Sequence, residues 1–198
     1  RVLSPRFNTQ CMFSNDVLQL NTAIIGDSHA GALYYGFRFI NNSNVAVFPV
    51  ANQAPFIDVK TKPDMWGNND FHWSLINDAY NFVINHKNIK NIILVHSEAP
   101  SYEEIADIKN IKSKDNTLNL SNSLKRSLEL LKKFHKNVII LLDNPHLDFE
   151  PYNKCKMRPI MRFLKSESVD SLCLDTFERK KYENKNFHIW YRSIVFSI

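Results

Sequence analysis

Four short apolar runs mark out the chain: Thr22 to Ile25, Val45 to Val50, Ile89 to Val95 and Asn137 to Leu142. The last two contain Ile92-Ile93-Leu94-Val95 and Val138-Ile139-Ile140-Leu141-Leu142, which are continuous rather than alternating. A strand wetted on one side alternates. A continuous run suits a strand covered on both faces, and so a parallel sheet. Helical patterns lie between the runs. Ala32 to Phe39 comes after the first strand. Asp70 to Asn85 places Phe71, Leu75, Ile76, Ala79, Phe82 and Val83 near one face. Leu120, Leu124, Leu128 and Leu131 form an amphipathic stripe, with Lys125, Lys132 and Lys133 off it. Strand and helix therefore alternate, which predicts an α/β fold: a doubly wound, mainly parallel sheet flanked by helices.

Two stretches break the rhythm. Ala51 to Asn69 holds two prolines and the pair Asn68-Asn69, and reads as a long loop after the second strand. Ser97 to Asp115 reads as a long segment after the third, with a short helix around Tyr102 to Asp107. Excursions at the carboxyl ends of strands are where open α/β sheets place their sites.

The 198 residues suit one domain spanning 1–198, and 44% hydrophobic residues can supply its core. Arg1 opens the chain and Ile198 closes it inside an apolar stretch, so the expectation is a fragment of a longer protein. No apolar run reaches the roughly 20 residues of a membrane helix. The net charge of +5 comes from scattered lysines with no arginine-rich tract, which argues against nucleic acid as a partner. Cys11, Cys155 and Cys173 form no CxxC pair, so no structural zinc site is expected; no cofactor is expected either. Cys155 and Cys173 could pair in an oxidising compartment.

Glycine placement is informative. The chain has four glycines, and Gly26, Gly31 and Gly36 fall close together, just after the first strand. Asp27-Ser28 then sits where strand turns to helix. A serine there can expose its hydroxyl and offer its own N–H to a developing oxyanion, beside a favourable helix dipole. The plainer alternative is that Asp27 or Ser28 only caps the helix.

The run Thr22-Ala23-Ile24-Ile25-Gly26-Asp27-Ser28-His29-Ala30 resembles the first block of the SGNH hydrolase superfamily. Its Ser-His pair is similar to SGNH domains fused to membrane acyltransferases of family three, bacterial proteins that O-acetylate surface glycans. Asn52-Gln53-Ala54-Pro55 resembles the segment after the family's second strand. Asp143-Asn144-Pro145 and Pro151-Tyr152-Asn153-Lys154-Cys155 resemble the Asp-x-Pro and later Cys segment after the family's fourth strand. The likeness spans about residues 11 to 165 and is specific only in its first block.

It implies Ser28 as nucleophile, with Gly26, Asp27 and Asn52 at the oxyanion or substrate. It implies an acyl donor and a glycan acceptor as partners, and a membrane acyltransferase domain fused or associated. The expected location is extracytoplasmic, in the periplasm, at a bacterial inner membrane. Esterase activity is the alternative, and an inactive glycan-binding or scaffolding module is a third.

The family's acid–base histidine belongs to an Asp-x-x-His near the C-terminus. His188 has Lys185 three residues before it, so the expected pair would lie beyond Ile198. Asp143-Asn144-Pro145-His146 has the spacing but comes early, after the fourth strand; the two could instead shape a turn at Pro145. His29 is read as structural. The glycine of the second block is absent, with Ala51 and Asn52 in its place, and the third strand ends in His96-Ser97-Glu98 without the usual asparagine block. Phe56, Trp66, Phe71 and Trp73 could line a sugar cleft or pack in the core. Glu98, Glu103 and Glu104 lack a second acidic motif, so a glycosidase is not expected.

Overall fold

The computed structural model describes residues 11–14, 20–38, 44–51, 53–62, 69–96, 104–110 and 112–142. The four apolar runs form β2 (Thr22–Gly26), β3 (Val45–Pro49), β5 (Asn91–His96) and β7 (Asn137–Leu142). They pair in parallel in the order β3-β2-β5-β7, and a short β1 (Met12–Phe13) adds antiparallel to β3. The chain steps from β2 to β3 on one side, then crosses back to β5 on the other. That reversal defines a doubly wound sheet with its switch point between β2 and β5.

Both faces of β2, β3 and β5 are covered, but β7, at the end of the described sheet, leaves Ile139 and Leu141 exposed on one face, so its continuous run overstates its burial. On one side of the sheet, Ile24, Val45, Val47 and Val95 pack with Ala30, Leu33, Tyr34 and Phe37 of α1 (Ser28–Arg38). Side chains alternate along a strand, so Ala23, Ile25, Phe48 and Leu94 face the other way. There α2 (Asn69–Asn85) buries Leu75, Ile76, Ala79 and Val83, and its Phe82 ring lies 5.3 Å from that of Phe48. The leucine stripe belongs to α3 (Asn116–Lys133). Asp115 caps it by accepting from Leu118 N at 3.0 Å, and Leu120, Leu124, Leu128 and Leu131 are all buried.

Two expectations are corrected. The stretch 51–69 is not loop throughout: it contains β4 (Val59–Lys62). The short helix expected around Tyr102 to Asp107 is instead β6 (Glu104–Asp107). The two pair antiparallel as a separate small sheet, Val59 opposite Asp107 and Thr61 opposite Ile105. Each strand gains its stability from partners distant in sequence, so neither short sequence carries the signal alone. In addition, α1 starts at Ser28 rather than Ala32, and β1 is a strand that the apolar pattern does not mark.

Candidate active site

β2 carries Gly26 to the carboxyl edge of the sheet, between Pro49 of β3 and Val95 of β5. This is the switch point, the crevice where such sheets bind ligands. The close approach demands glycine. A Cβ on Gly26 would run into the Val95 carbonyl oxygen and lie 2.8 Å from Val95 Cβ and 2.9 Å from Ala30 Cβ. Gly31 and Gly36 face no such constraint: a Cβ would make ordinary contact with Pro49 at the first and meet nothing at the second.

Asp27 is buried, 2% exposed. Its Oδ1 accepts from the backbone N–H of His29 at 2.9 Å, and its carbonyl accepts from Ala30 N at 3.1 Å. Asp27 is therefore the N-cap of α1, and Ser28 is the first helical residue. The cap does not use the Ser28 side chain, which is exposed. The Ser28 N–H belongs to the first turn, whose donors have no acceptor within the helix, and the dipole there favours negative charge. His29 Nδ1 stands 3.0 Å from the same Asp27 oxygen, and its side chain is 49% exposed.

The segment after β3 is built onto this edge. Val50 N donates to the Gly26 carbonyl at 2.8 Å. Gln53 is buried; its Nε2 donates to Val59 O at 3.0 Å and its Oε1 accepts from Thr61 Oγ1 at 3.2 Å. Tyr80 OH donates to Pro55 O at 2.9 Å, and burial pushes this phenol's pKa up. Ser127 Oγ accepts from Ile57 N at 2.9 Å, while Ser123 Oγ donates to Ile57 O. Arg126 pairs with the buried Asp107 and lies 3.4 Å, through Nε, from Asp58 Oδ2. Sequence reasoning missed these anchors. One signal was available: Ser123 and Ser127 interrupt the buried face of α3 at helical spacing, and polar groups placed there need partners.

The remaining expected residues divide. Phe56 is fully buried, its ring 5.5 Å from that of His96 at the end of β5, so it packs in the core. Trp73 is half-buried, with Lys60 Nζ 5.3 Å from its ring centre. Cys11 is a half-buried free thiol. Asn52, Trp66, Glu98, Glu103, Asp143, His146, Cys155, Cys173 and His188 lie outside the described residues, as does the Phe71 side chain. Among the described residues no group of three or more His, Cys, Asp or Glu could hold a metal ion, and no helix is long and apolar enough to cross a membrane.

A serine exposed at the carboxyl edge of the first parallel strand, with a short Asp cap before it, is the layout that the first-block resemblance implies. The family model for the SGNH domain fused to AT3 domains matches residues 3–192, and the chain belongs to that family. Its class of chemistry is that of esterases and acyltransferases, and the fusion sets it in a membrane-protein context. No curated protein and no solved structure matched the chain.

Proposed function

We propose that this domain transfers an acyl group, acetyl foremost, onto a hydroxyl of a cell-surface glycan, with Ser28 as nucleophile. The placement of Ser28 carries the reading: an exposed hydroxyl at the first position of α1, at the switch point, in a family of ester-handling domains. Ser28 Oγ attacks the carbonyl of the acyl donor, and the Ser28 N–H and the α1 dipole stabilise the oxyanion. A histidine takes the serine proton and passes it to the donor's departing group as the bond from that group to the acyl carbon breaks; within this chain His146, with Asp143 three residues before it, is the candidate. Asn52, in the segment after β3, is the candidate side-chain donor to the oxyanion. A sugar hydroxyl then collects the acyl group. In the esterase alternative water does so, and every earlier step is the same. The fused membrane acyltransferase domain is the partner that supplies the acyl group, and the glycan places the domain outside the cytoplasm.

The test uses the full natural chain and p-nitrophenyl acetate. Ser28→Ala lowers turnover by at least about 10³-fold, and mass spectrometry of the parent finds acetyl on the peptide containing Ser28. Parent-level turnover in Ser28→Ala overturns the reading, leaving Ser28 as simply the first residue of a helix. A parent with no turnover that still binds oligosaccharide points to the glycan-binding module.

A further inference from the structure

Asp27 and His29 flank Ser28 in sequence and are tied to each other in space. One buried carboxylate oxygen serves both the backbone N–H of His29, at 2.9 Å, and its ring Nδ1, at 3.0 Å. The cap of α1 needs the first contact and not the second, so the ring contact is additional to helix capping. A carboxylate at Nδ1 holds the proton there, fixes the tautomer and makes Nε2 the basic nitrogen. The two ring nitrogens point to opposite sides of the ring. Nε2 is thus directed away from the buried Asp27, on a side chain that is half exposed.

Successive helical positions diverge by about 100°, which turns the His29 ring aside from the Ser28 hydroxyl. That is a poor place from which to deprotonate the serine. It suits a group approaching an acyl chain already attached to Ser28 and projecting from the helix end. We propose that His29, with its ring set by Asp27, receives the proton of the incoming hydroxyl in the second half of the reaction. The inference rests on Ser28 being the nucleophile.

The step balances. The hydroxyl of water or sugar gives its proton to His29 Nε2 as its oxygen bonds to the acyl carbon. The tetrahedral intermediate then breaks its bond to Ser28 Oγ. Oγ takes up a proton from water at the exposed helix end as it leaves, and Nε2 releases its own to water, which restores free serine and neutral imidazole.

The test compares the parent full-length chain with His29→Asn and Ser28→Ala, using p-nitrophenyl acetate with water as the accepting hydroxyl. The asparagine amide stands where Nδ1 stood and keeps the contact to Asp27, but nothing occupies the place of Nε2. A merely structural role predicts parent-like kinetics for His29→Asn. The proposal predicts slower deacylation, by about 10²-fold or more. Acetyl-Ser28 then accumulates, kcat and KM fall together, and kcat/KM, which reports acylation, holds. Thermal unfolding at the parent temperature excludes a folding defect. If His29→Asn unfolds early, His29→Gln replaces it: the Gln amide reaches the Nε2 site without a titrating nitrogen and shows the same accumulation. Parent-like kcat with no added acetyl-Ser28 overturns the proposal while leaving Ser28 in place. Absence of acetyl-Ser28 from every chain, with turnover that survives Ser28→Ala, overturns the nucleophile reading and this inference with it.

Discussion

Arg126 grips Asp107 with two parallel hydrogen bonds, Nη1 to Oδ2 at 3.1 Å and Nη2 to Oδ1 at 2.8 Å. The carboxylate is fully buried, and the guanidinium joins α3 to the β4–β6 sheet. Lys109 N also donates to Oδ1, at 2.9 Å. A forked pair of this kind adds geometric restraint as well as charge compensation.

Removing the cation should therefore cost more than removing both partners. Arg126→Met leaves a buried carboxylate uncompensated and is expected to destabilise the fold by about 3–5 kcal/mol. The double variant with Asp107→Leu removes the orphaned charge too and should recover part of that loss. Urea unfolding of the two single variants and the double closes the cycle. A double variant less stable than either single one would contradict this account.

The three glycines near Ser28 should respond with opposite signs. Gly26→Ala places a methyl against the Val95 carbonyl, which is backbone and cannot swing aside. A cost of about 1–3 kcal/mol is expected from overpacking alone, with ester turnover falling as the first turn of α1 shifts. Gly36→Ala meets nothing within 4 Å and should stabilise α1 by up to about 1 kcal/mol. Gly31→Ala, whose methyl would sit 3.5 Å from Pro49 Cβ, should behave like Gly36→Ala. Melting temperatures of the three variants decide this directly.

Cys11 should be inert while the protein is folded. Burial pushes its thiol up to about 12, so little thiolate exists at neutral pH. Iodoacetamide should label Cys11 slowly at pH 7.5 in buffer and fast in denaturant, where the thiol regains its ordinary pKa. Rapid labelling of the folded chain would show that the thiol is more accessible than its surroundings suggest.

The parallel strands are legible because burial on two faces writes itself into sequence. Ile92 to Val95 is apolar at every position and lies within the well-covered β5, whereas Val138 to Leu142, equally apolar, matches β7 in its bounds but leaves Ile139 and Leu141 exposed. Ser28 is legible because Gly26, a strand and a cap residue sit side by side in the chain. The start of α1 is not, because Asp27 caps through its side chain one turn before the apolar pattern begins. Nor is the β4–β6 pair. Val59-Lys60-Thr61-Lys62 is too short to declare itself, and its partner lies more than forty residues away, Lys62 opposite Glu104. The anchors of the 53–58 segment are hidden for a related reason. Tyr80, Ser123 and Ser127 reach it from two different helices, a relation no local window contains.

Those anchors share a property that bears on how such a domain can diversify. Tyr80, Ser123 and Ser127 grasp the main chain of the 53–58 segment, at the Pro55 and Ile57 carbonyls and the Ile57 N–H, and Val50 reaches the Gly26 carbonyl by main chain alone. A hydrogen bond to a peptide group does not read the side chain it carries. Replacement at Ile57, which is half-buried, can therefore leave these main-chain anchors in place. Tolerance of side-chain change and rigidity of the backbone then reside in the same few residues, because the bonds that hold the segment do not depend on which side chains it carries.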